Sequence, residues 1–395
     1  MNISGEAASS FGAGRHLVVA CPFSDPAQGA WSAKFIRVVL DAGYTVEFWG
    51  WDRNGDFRSH TVSSFDGEPG FTRRVLFKGG GSRSTATAAA YGLWAWRLLR
   101  SVLKTRDNAM FVAVSFDTGL PMAVASLGGK VHFLFADRDN ISMSFRWPPP
   151  VRALLRILER VIVMRCSLHV LPGRSRWASP GPKERFLPNA PASGVLAAAR
   201  QIASRNGYAR GQKLTIYVNG WLVESRGIGV FLEAYRQCGP GELEVIIAGK
   251  DTCSALEQLV RMPGVKWLGK ISAEESLANY FRSHFVFTYY DPAIEINTRA
   301  EPNKWEDCVA TQTPFIVNSE VSTAERFIRR QACAHAPYHD ASGLALLLRQ
   351  FAADRSEWEM MQRSLSEFET TAWDTEMLRL LDGLPWNSIM AKNSD

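Results

Sequence analysis

Apolar positions follow two alternating rhythms from residue 16 onward. Short apolar runs such as HLVVAC (16–21) and YTVEFWGW (44–51) read as strands, and WSAKFIRVVLDAG (31–43) between them has the spacing of an amphipathic helix. MFVAVS (110–115), KVHFLF (130–135) and SLHVLP (167–172) are further strands with helical segments between them. This alternation predicts a parallel sheet covered by helices on both faces. Proline, glycine and charge cluster in SPGPKERFLPNAPASG (179–194), and the pattern then restarts. KLTIYVNG (213–220), LEVIIAG (243–249), VKWLG (265–269), HFVFTYY (284–290) and PFIVN (314–318) read as strands, with IGVFLEAYRQCG (228–239) as a helix.

The expected fold is therefore α/β, with two doubly wound Rossmann-like domains facing each other across a cleft. A loose tail covers 1–14, an N-terminal domain 15–190, a linker 191–212 and a C-terminal domain 213–370. A final helix and tail, 371–395, carry aromatic anchors. In such sheets ligands gather at the carboxyl ends of the strands, so the cleft is the expected site.

Composition narrows the class. At 395 residues the chain exceeds one ordinary domain of about 150–200 residues. With 46% hydrophobic and 21% charged residues it can build ample core. The six cysteines, Cys21, Cys166, Cys238, Cys253, Cys308 and Cys333, form no C-x-x-C pair and read as reduced thiols of a cytoplasmic protein. Residues 1–14 have neither the basic start nor the apolar stretch of a signal peptide. No apolar run approaches the roughly 20 residues of a membrane-spanning helix.

Charge is unevenly spread. Residues 1–190 hold 24 Lys/Arg against 14 Asp/Glu, and the remainder 21 against 25. A basic half attracts nucleic acid, anionic headgroups or phosphorylated substrates. No nucleic-acid reader motif is present, which argues against the first. KGGGSRS (78–84) has no following Gly-Lys-Ser/Thr and reads as a loop, and no G-x-G-x-x-G follows the first strand, which weakens a nicotinamide or flavin reading. Pro337 separates His335 from His339, while His132 and His169 lie in apolar strands and read as core. Neither metal nor cofactor is expected.

Two turns have the chemistry of a diphosphate site. In EPNKWEDCVATQTPFIVN (301–318), Glu301, Pro302, Asn303 and Lys304 stand at the start of a helix. Unpaired N–H groups there favour phosphate, and Lys304 adds a full charge. Asp307, three residues on, shares its face and can accept ribose hydroxyls. A capped, solvated helix would give the same pattern. In NGWLVESRGIG (219–229), Asn219 and Gly220 end a strand while Arg226 and Gly227 open a helix. Glycine permits close backbone approach, and arginine can clamp phosphate through two N–H bonds.

These segments, with EVIIAG and VKWLGKISAEESLANYFRSHFVFTYYDP, resemble the donor domain of GT-B glycosyltransferases of the bacterial polysaccharide type. ACPFSDPAQGAWSAKFIRVVLDAGYTVEFWGW resembles their opening strand, loop and helix, and FLPNA (186–190) the segment entering their interdomain linker. The resemblance spans about residues 15–385. It implies a nucleotide sugar, UDP- or GDP-linked, and a last helix returning to the N-terminal domain. It also implies that Arg226 and Lys304 meet phosphate, that Asp307 meets ribose, and that Asn219, Gly220, Gly249, Tyr290, Glu301 and Asn303 complete the donor site. Trp221 stands where many members have arginine. Arg299 stands where one branch has the first of two glutamates, so inverting and retaining outcomes both stay open.

By the same pattern the acid or base comes from the N-terminal domain. Asp139 is the first candidate, Asp137 the second and Asp117, in SFDTG, the third; turns and helix caps also use such residues. WPPPVRALLRILERVIVMR (147–165) and YGLWAWRLLRSVLK (91–104, with Trp94 and Trp96) are basic helices of a kind that can lie on an anionic membrane. The expectation is a glycosyltransferase acting on a saccharide acceptor, lipid-linked, at the cytoplasmic face of a membrane. A nucleotide-sugar epimerase of the same fold and a non-catalytic sugar- or nucleotide-binding module are the alternatives.

Overall fold

The computed structural model describes residues 12, 14–53, 64–81, 85–106, 109–176, 181–239, 241–251 and 253–386. Almost all of the 1–14 tail, residues 82–84 of the glycine-rich loop and the last nine residues of the 371–395 segment lie outside them. The chain divides into two compact units, one of residues 1–187 with 374–395 and one of residues 188–373.

Unit 1 holds a seven-stranded parallel sheet in the order β3-β2-β1-β4-β5-β6-β7. The strands are β1 (His16–Cys21), β2 (Thr45–Asp52), β3 (Phe71–Lys78), β4 (Met110–Val114), β5 (Phe133–Ala136), β6 (Leu168–Leu171) and β7 (Glu184–Phe186). All pair in parallel, for instance Leu17 with Met110 across β1 and β4. β3 and β7 were not legible as strands, because FTRRVLFK and ERF carry charge at positions where a buried strand is continuous in apolar residues. Both are edge strands, where charge is tolerated and discourages pairing with another chain.

Helix α1 (Ala30–Asp41) follows β1. Helices α2 (Thr85–Thr105), α3 (Phe116–Ala125) and α4 (Pro149–Arg165) share one apolar cluster against the sheet. Trp94 of α2 is fully buried there and stacks on Trp51 at 5.5 Å. It is core rather than the interfacial anchor that the sequence suggested. Its neighbour Trp96, two residues on, points away from the cluster and is 60% exposed.

Unit 2 opens with helix α5 (Ser193–Arg205), inside the stretch expected to be a linker. Val195, Leu196, Ala199, Ile202 and Ala203 lie at helical spacing and pack into the unit's core. Proline and glycine just upstream had drawn the reading toward a hinge. The six-stranded sheet runs β10-β9-β8-β11-β12-β13, again parallel throughout. Its strands are β8 (Leu214–Leu222), β9 (Leu243–Asp251), β10 (Val265–Trp267), β11 (Phe285–Thr288), β12 (Phe315–Asn318) and β13 (Cys333–Ala336). Helices α6 (Ile228–Gln237), α7 (Ala273–Ala278), α8 (Asn303–Thr311), α9 (Ala341–Ala353) and α10 (Ser356–Ser366) surround it.

The last helix, α11 (Trp373–Asp382), belongs from Asp374 onward to unit 1. Asp382 accepts a 3.0 Å bond from Arg15, whose guanidinium lies 5.1 Å over the Trp386 ring. Trp386 in turn meets Tyr44 at 5.8 Å. The polypeptide therefore returns to the sheet it began.

Candidate functional site

Each sheet reverses its direction of growth once. In unit 2 the chain builds outward from β8 through β9 to β10, then resumes on the other side of β8 with β11 to β13. The crevice beyond the carboxyl ends of β8 and β11 is the topological switch point, where open α/β sheets place ligands. Asn219 and Gly220 lie near the end of β8, and Tyr289 and Tyr290 follow β11.

The two phosphate-competent turns meet at this point. Gly220 has φ +96°, and a β-carbon there would stand 3.6 Å from Cε of Lys304. Lys304 Nζ donates to the carbonyl of Phe287 in β11 at 3.4 Å. Arg226 donates to Asn297 Oδ1 at 3.3 Å and spreads its guanidinium 4.7 Å over the Tyr290 ring. Gly227, in the left-handed region at φ +71°, lets this turn close; a β-carbon would strike Tyr289 at 2.6 Å. Gly249 on neighbouring β9 has no room for a side chain either, since a β-carbon would meet the Gly220 carbonyl at 2.0 Å.

Burial dominates the electrostatics of this corner and, with Arg226 nearby, pushes the Lys304 ammonium down to about 7 from its ordinary 10.5. Asp307 opposes the shift, and part of the Lys304 side chain keeps contact with solvent, which limits it. Two cations in this corner, with Asp307 the one carboxylate acting on Lys304, leave a positive balance there that suits an anion. The helix behind them adds to it: α8 begins after Pro302 with no side-chain cap, leaving its first N–H groups to an outside acceptor. Glu301 is no cap. Its carboxylate lies 3.7 Å from Arg326, its carbonyl accepts from Asn189, and Asn303 is the first helical residue.

Asn219 is buried and donates to Ser276 Oγ and to Tyr280 OH, both at 3.2 Å. Its Oδ1 is buried with no partner among the described residues, an acceptor waiting for a donor. Tyr280 OH also reaches Asp307 Oδ2 at 3.5 Å, so Asn219, Tyr280 and Asp307 form one polar chain. Burial, then Asp307, raises the Tyr280 phenol far above its usual range, and it stays a donor. Sequence reading missed Tyr280 and Ser276. They lie 61 and 57 residues from Asn219, on a segment that read only as a helix leading to a strand.

The corresponding edge of unit 1 gathers the three acidic candidates on different terms. Its switch point lies between β1 and β4. Just past β4, Ser115 adopts φ 69° and ψ 171°, a conformation costing a non-glycine residue about 1–3 kcal/mol that clusters at functional sites. Two residues on, the Asp117 carboxylate pairs with Arg53 at 2.7 Å, and its carbonyl accepts from the Trp94 indole. Burial raises the Asp117 carboxyl while Arg53 holds it down, and the rise prevails.

Asp137, after β5, is buried. It accepts from Asn140 at 3.1 Å and meets His169 at 3.4 Å. His169 is fully buried, as its apolar strand suggested, with Glu184 3.8 Å away on its other side. Asp139 points outward with its side chain 72% exposed, 3.7 Å from Arg176. Arg138 between them lies 5.8 Å over the Trp31 ring, and burial followed by Arg176 lowers it to about 10.

No protein-family model matches the chain, and no curated protein matches it in sequence. Solved structures match it along nearly its whole length. Sucrose-phosphate synthase from Thermosynechococcus elongatus superposes with a TM-score of 0.67 at 14% identity, covering 96% of this chain and 100% of that one. Anabaena HepE in complex with UDP and glucose gives 0.65 at 12%, with 94% and 100% covered. An alpha,alpha-trehalose-phosphate synthase (UDP-forming) from Burkholderia xenovorans, in complex with glucose-6-phosphate, gives 0.60 at 12%, with 93% and 100% covered. The chain has the GT-B fold: two parallel Rossmann-like sheets of seven and six strands, with helices at the C-terminal end.

Proposed function

We propose that this protein is a nucleotide-sugar-dependent glycosyltransferase whose donor binds at the switch point of unit 2. The observation that carries the reading is the convergence of Arg226 and Lys304, from turns 78 residues apart, on the crevice beyond β8 and β11. The diphosphate lies against both cations and the open start of α8. Asp307, oriented by Tyr280, accepts ribose hydroxyls, and the orphaned Asn219 Oδ1 takes a donor from the ligand. Glycine at 220 and 249 keeps the strand ends low enough for the ligand to approach. Tyr290, its ring under Arg226, and Glu301 stand toward the sugar. The structures of HepE with UDP and glucose and of the UDP-forming synthases support a uridine nucleotide over a guanosine one.

The acceptor is a saccharide, and unit 1 supplies the base. Of the three carboxylates, Asp117 fits best. It stands at the switch point of its own sheet, and its burial makes it a stronger base than a carboxylate in water. Asp139 is second, an exposed carboxylate 3.7 Å from Arg176. Asp137, engaged with Asn140 and His169, positions the strand end instead. In an inverting transfer the carboxylate takes the proton of the acceptor hydroxyl as its oxygen bonds to the anomeric carbon. The bond from that carbon to the diphosphate oxygen breaks, and Lys304 and Arg226 receive the charge that departs.

Calorimetry with UDP and GDP tests the donor site. Lys304→Ala should weaken binding at least tenfold, and an unchanged affinity removes the assignment. Release of an isomerised sugar without any acceptor would instead identify an epimerase.

A further inference from the structure

We propose that a basic cavity at the far edge of unit 1, between β3 and α2, is a phosphate site through which the protein seats on an anionic lipid surface. The cavity, about 270 Å³, is lined by Arg74 of β3 and by Arg97, Arg100, Ser101, Lys104 and Thr105 of α2. Four of these are cations and two are hydroxyls; among the described residues no carboxylate lines it. Arg97 is steadied by the Leu76 carbonyl at 3.1 Å and by the Phe77 ring at 5.0 Å. Among the described residues, no hydrogen bond or ion pair engages Arg74, Arg100 or Lys104. A helix end carries partial negative charge, and Arg100 and Lys104 more than offset it there. The result is a concave, hydroxyl-bearing pocket of positive potential that none of the described residues fills. A phosphate group, with several acceptor oxygens, matches that set of donors.

The source of the phosphate follows from what surrounds the cavity. On the outward side of the same helix, Leu93 is 57%, Trp96 60% and Leu103 41% exposed. Helical spacing places Trp96 one turn before Arg100, and Leu93 one turn before Arg97. Apolar anchors and cations on one helix face match the acyl boundary and headgroups of an anionic leaflet. A soluble phosphate would need the cations alone. The surface is remote in sequence from every residue assigned to the donor site, so the inference stands or falls independently of the proposed activity.

Flotation with vesicles tests it, using phosphatidylcholine alone and phosphatidylcholine with phosphatidylglycerol. The full chain should float with the anionic vesicles and not with the neutral ones, and moderate salt should release it. Arg100→Gln with Lys104→Gln should reduce partitioning about thirtyfold, since each cation near such a surface is worth about fivefold. Trp96→Ala should weaken binding while leaving the charge dependence intact. An unchanged circular dichroism spectrum and thermal unfolding profile in both variants would show that the fold survives. Equal flotation with both vesicle types, no flotation, or a double variant that binds as well as the parent would overturn the proposal. So would binding that millimolar inorganic phosphate abolishes while Trp96→Ala leaves it untouched, since the cavity would then serve a soluble anion.

Discussion

Lys304 stands against Gly220, its Cε 3.6 Å from where a β-carbon would project, although the two residues lie on different turns at the rim of the second sheet. The close approach explains why a glycine stands where β8 becomes exposed. Gly220→Val should be costly twice over. Its φ of +96° is strained for a β-branched residue, and the new methyl groups would displace the ammonium. The expected outcome is a loss of about 1–3 kcal/mol in stability by denaturant titration, together with nucleotide affinity reduced at least as far as in Lys304→Ala.

The depressed Lys304 makes a signed prediction about pH. In the folded protein its ammonium gives up its proton near about 7, while in the unfolded chain it keeps it to the ordinary 10.5. Between these values the unfolded state holds more protons, so this group's contribution to stability rises with pH across the window. Diphosphate favours the charged form. UDP binding at pH 8 should therefore take up protons, and its affinity should fall as pH climbs above neutrality. Calorimetry in two buffers of different ionisation enthalpy reads the uptake. Lys304→Met should abolish it; uptake undiminished in that variant would contradict the assignment.

Tyr280→Phe removes the hydroxyl that joins Asn219 to Asp307. The loss should cost roughly 1 kcal/mol of stability, the net worth of a typical hydrogen bond. A ribose-contacting Asp307 would be released as well, so UDP affinity should drop while the affinity for inorganic diphosphate stays the same. Equal losses for both ligands would mean that Asp307 does not meet the ribose.

The three carboxylates of unit 1 should separate by phenotype. Asp117→Asn should abolish transfer and leave UDP binding intact. Asp137→Ala should lower stability by about 1–3 kcal/mol, because it strips partners from buried Asn140 and His169. Asp139→Ala, on an exposed side chain, should change stability little. Full turnover in Asp117→Asn with none in Asp139→Ala would move the base to Asp139.

Truncating Trp386 to alanine should weaken unit 1 by about 3 kcal/mol, the lower end for a buried tryptophan. The indole covers Tyr44 and carries Arg15 on its face. Thermal unfolding should show a lowered midpoint; a melt like that of the parent would mean that the returning segment contributes little.

Much of this protein is written in local pattern. The strands from HLVVAC to PFIVN are continuous apolar runs because both faces of a parallel sheet are buried, so their rhythm survives in sequence alone. The chemistry of Arg226 and Lys304 was legible for a similar reason, since a helix opening constrains the residues around it. Only the tertiary structure decided the rest. Trp94 and Trp96 are neighbours in a helix, yet one is core and the other surface, because rotation about the axis sets which faces the sheet. Asp137 and Asp139 look alike in sequence, and only the packing of β6 buries one against His169. Edge strands β3 and β7 lack the apolar continuity that marks interior ones, and α5 was hidden behind prolines that belong to its approach. Sequence determines the period of each element; contacts between residues far apart in the chain determine which side chain ends up beside which.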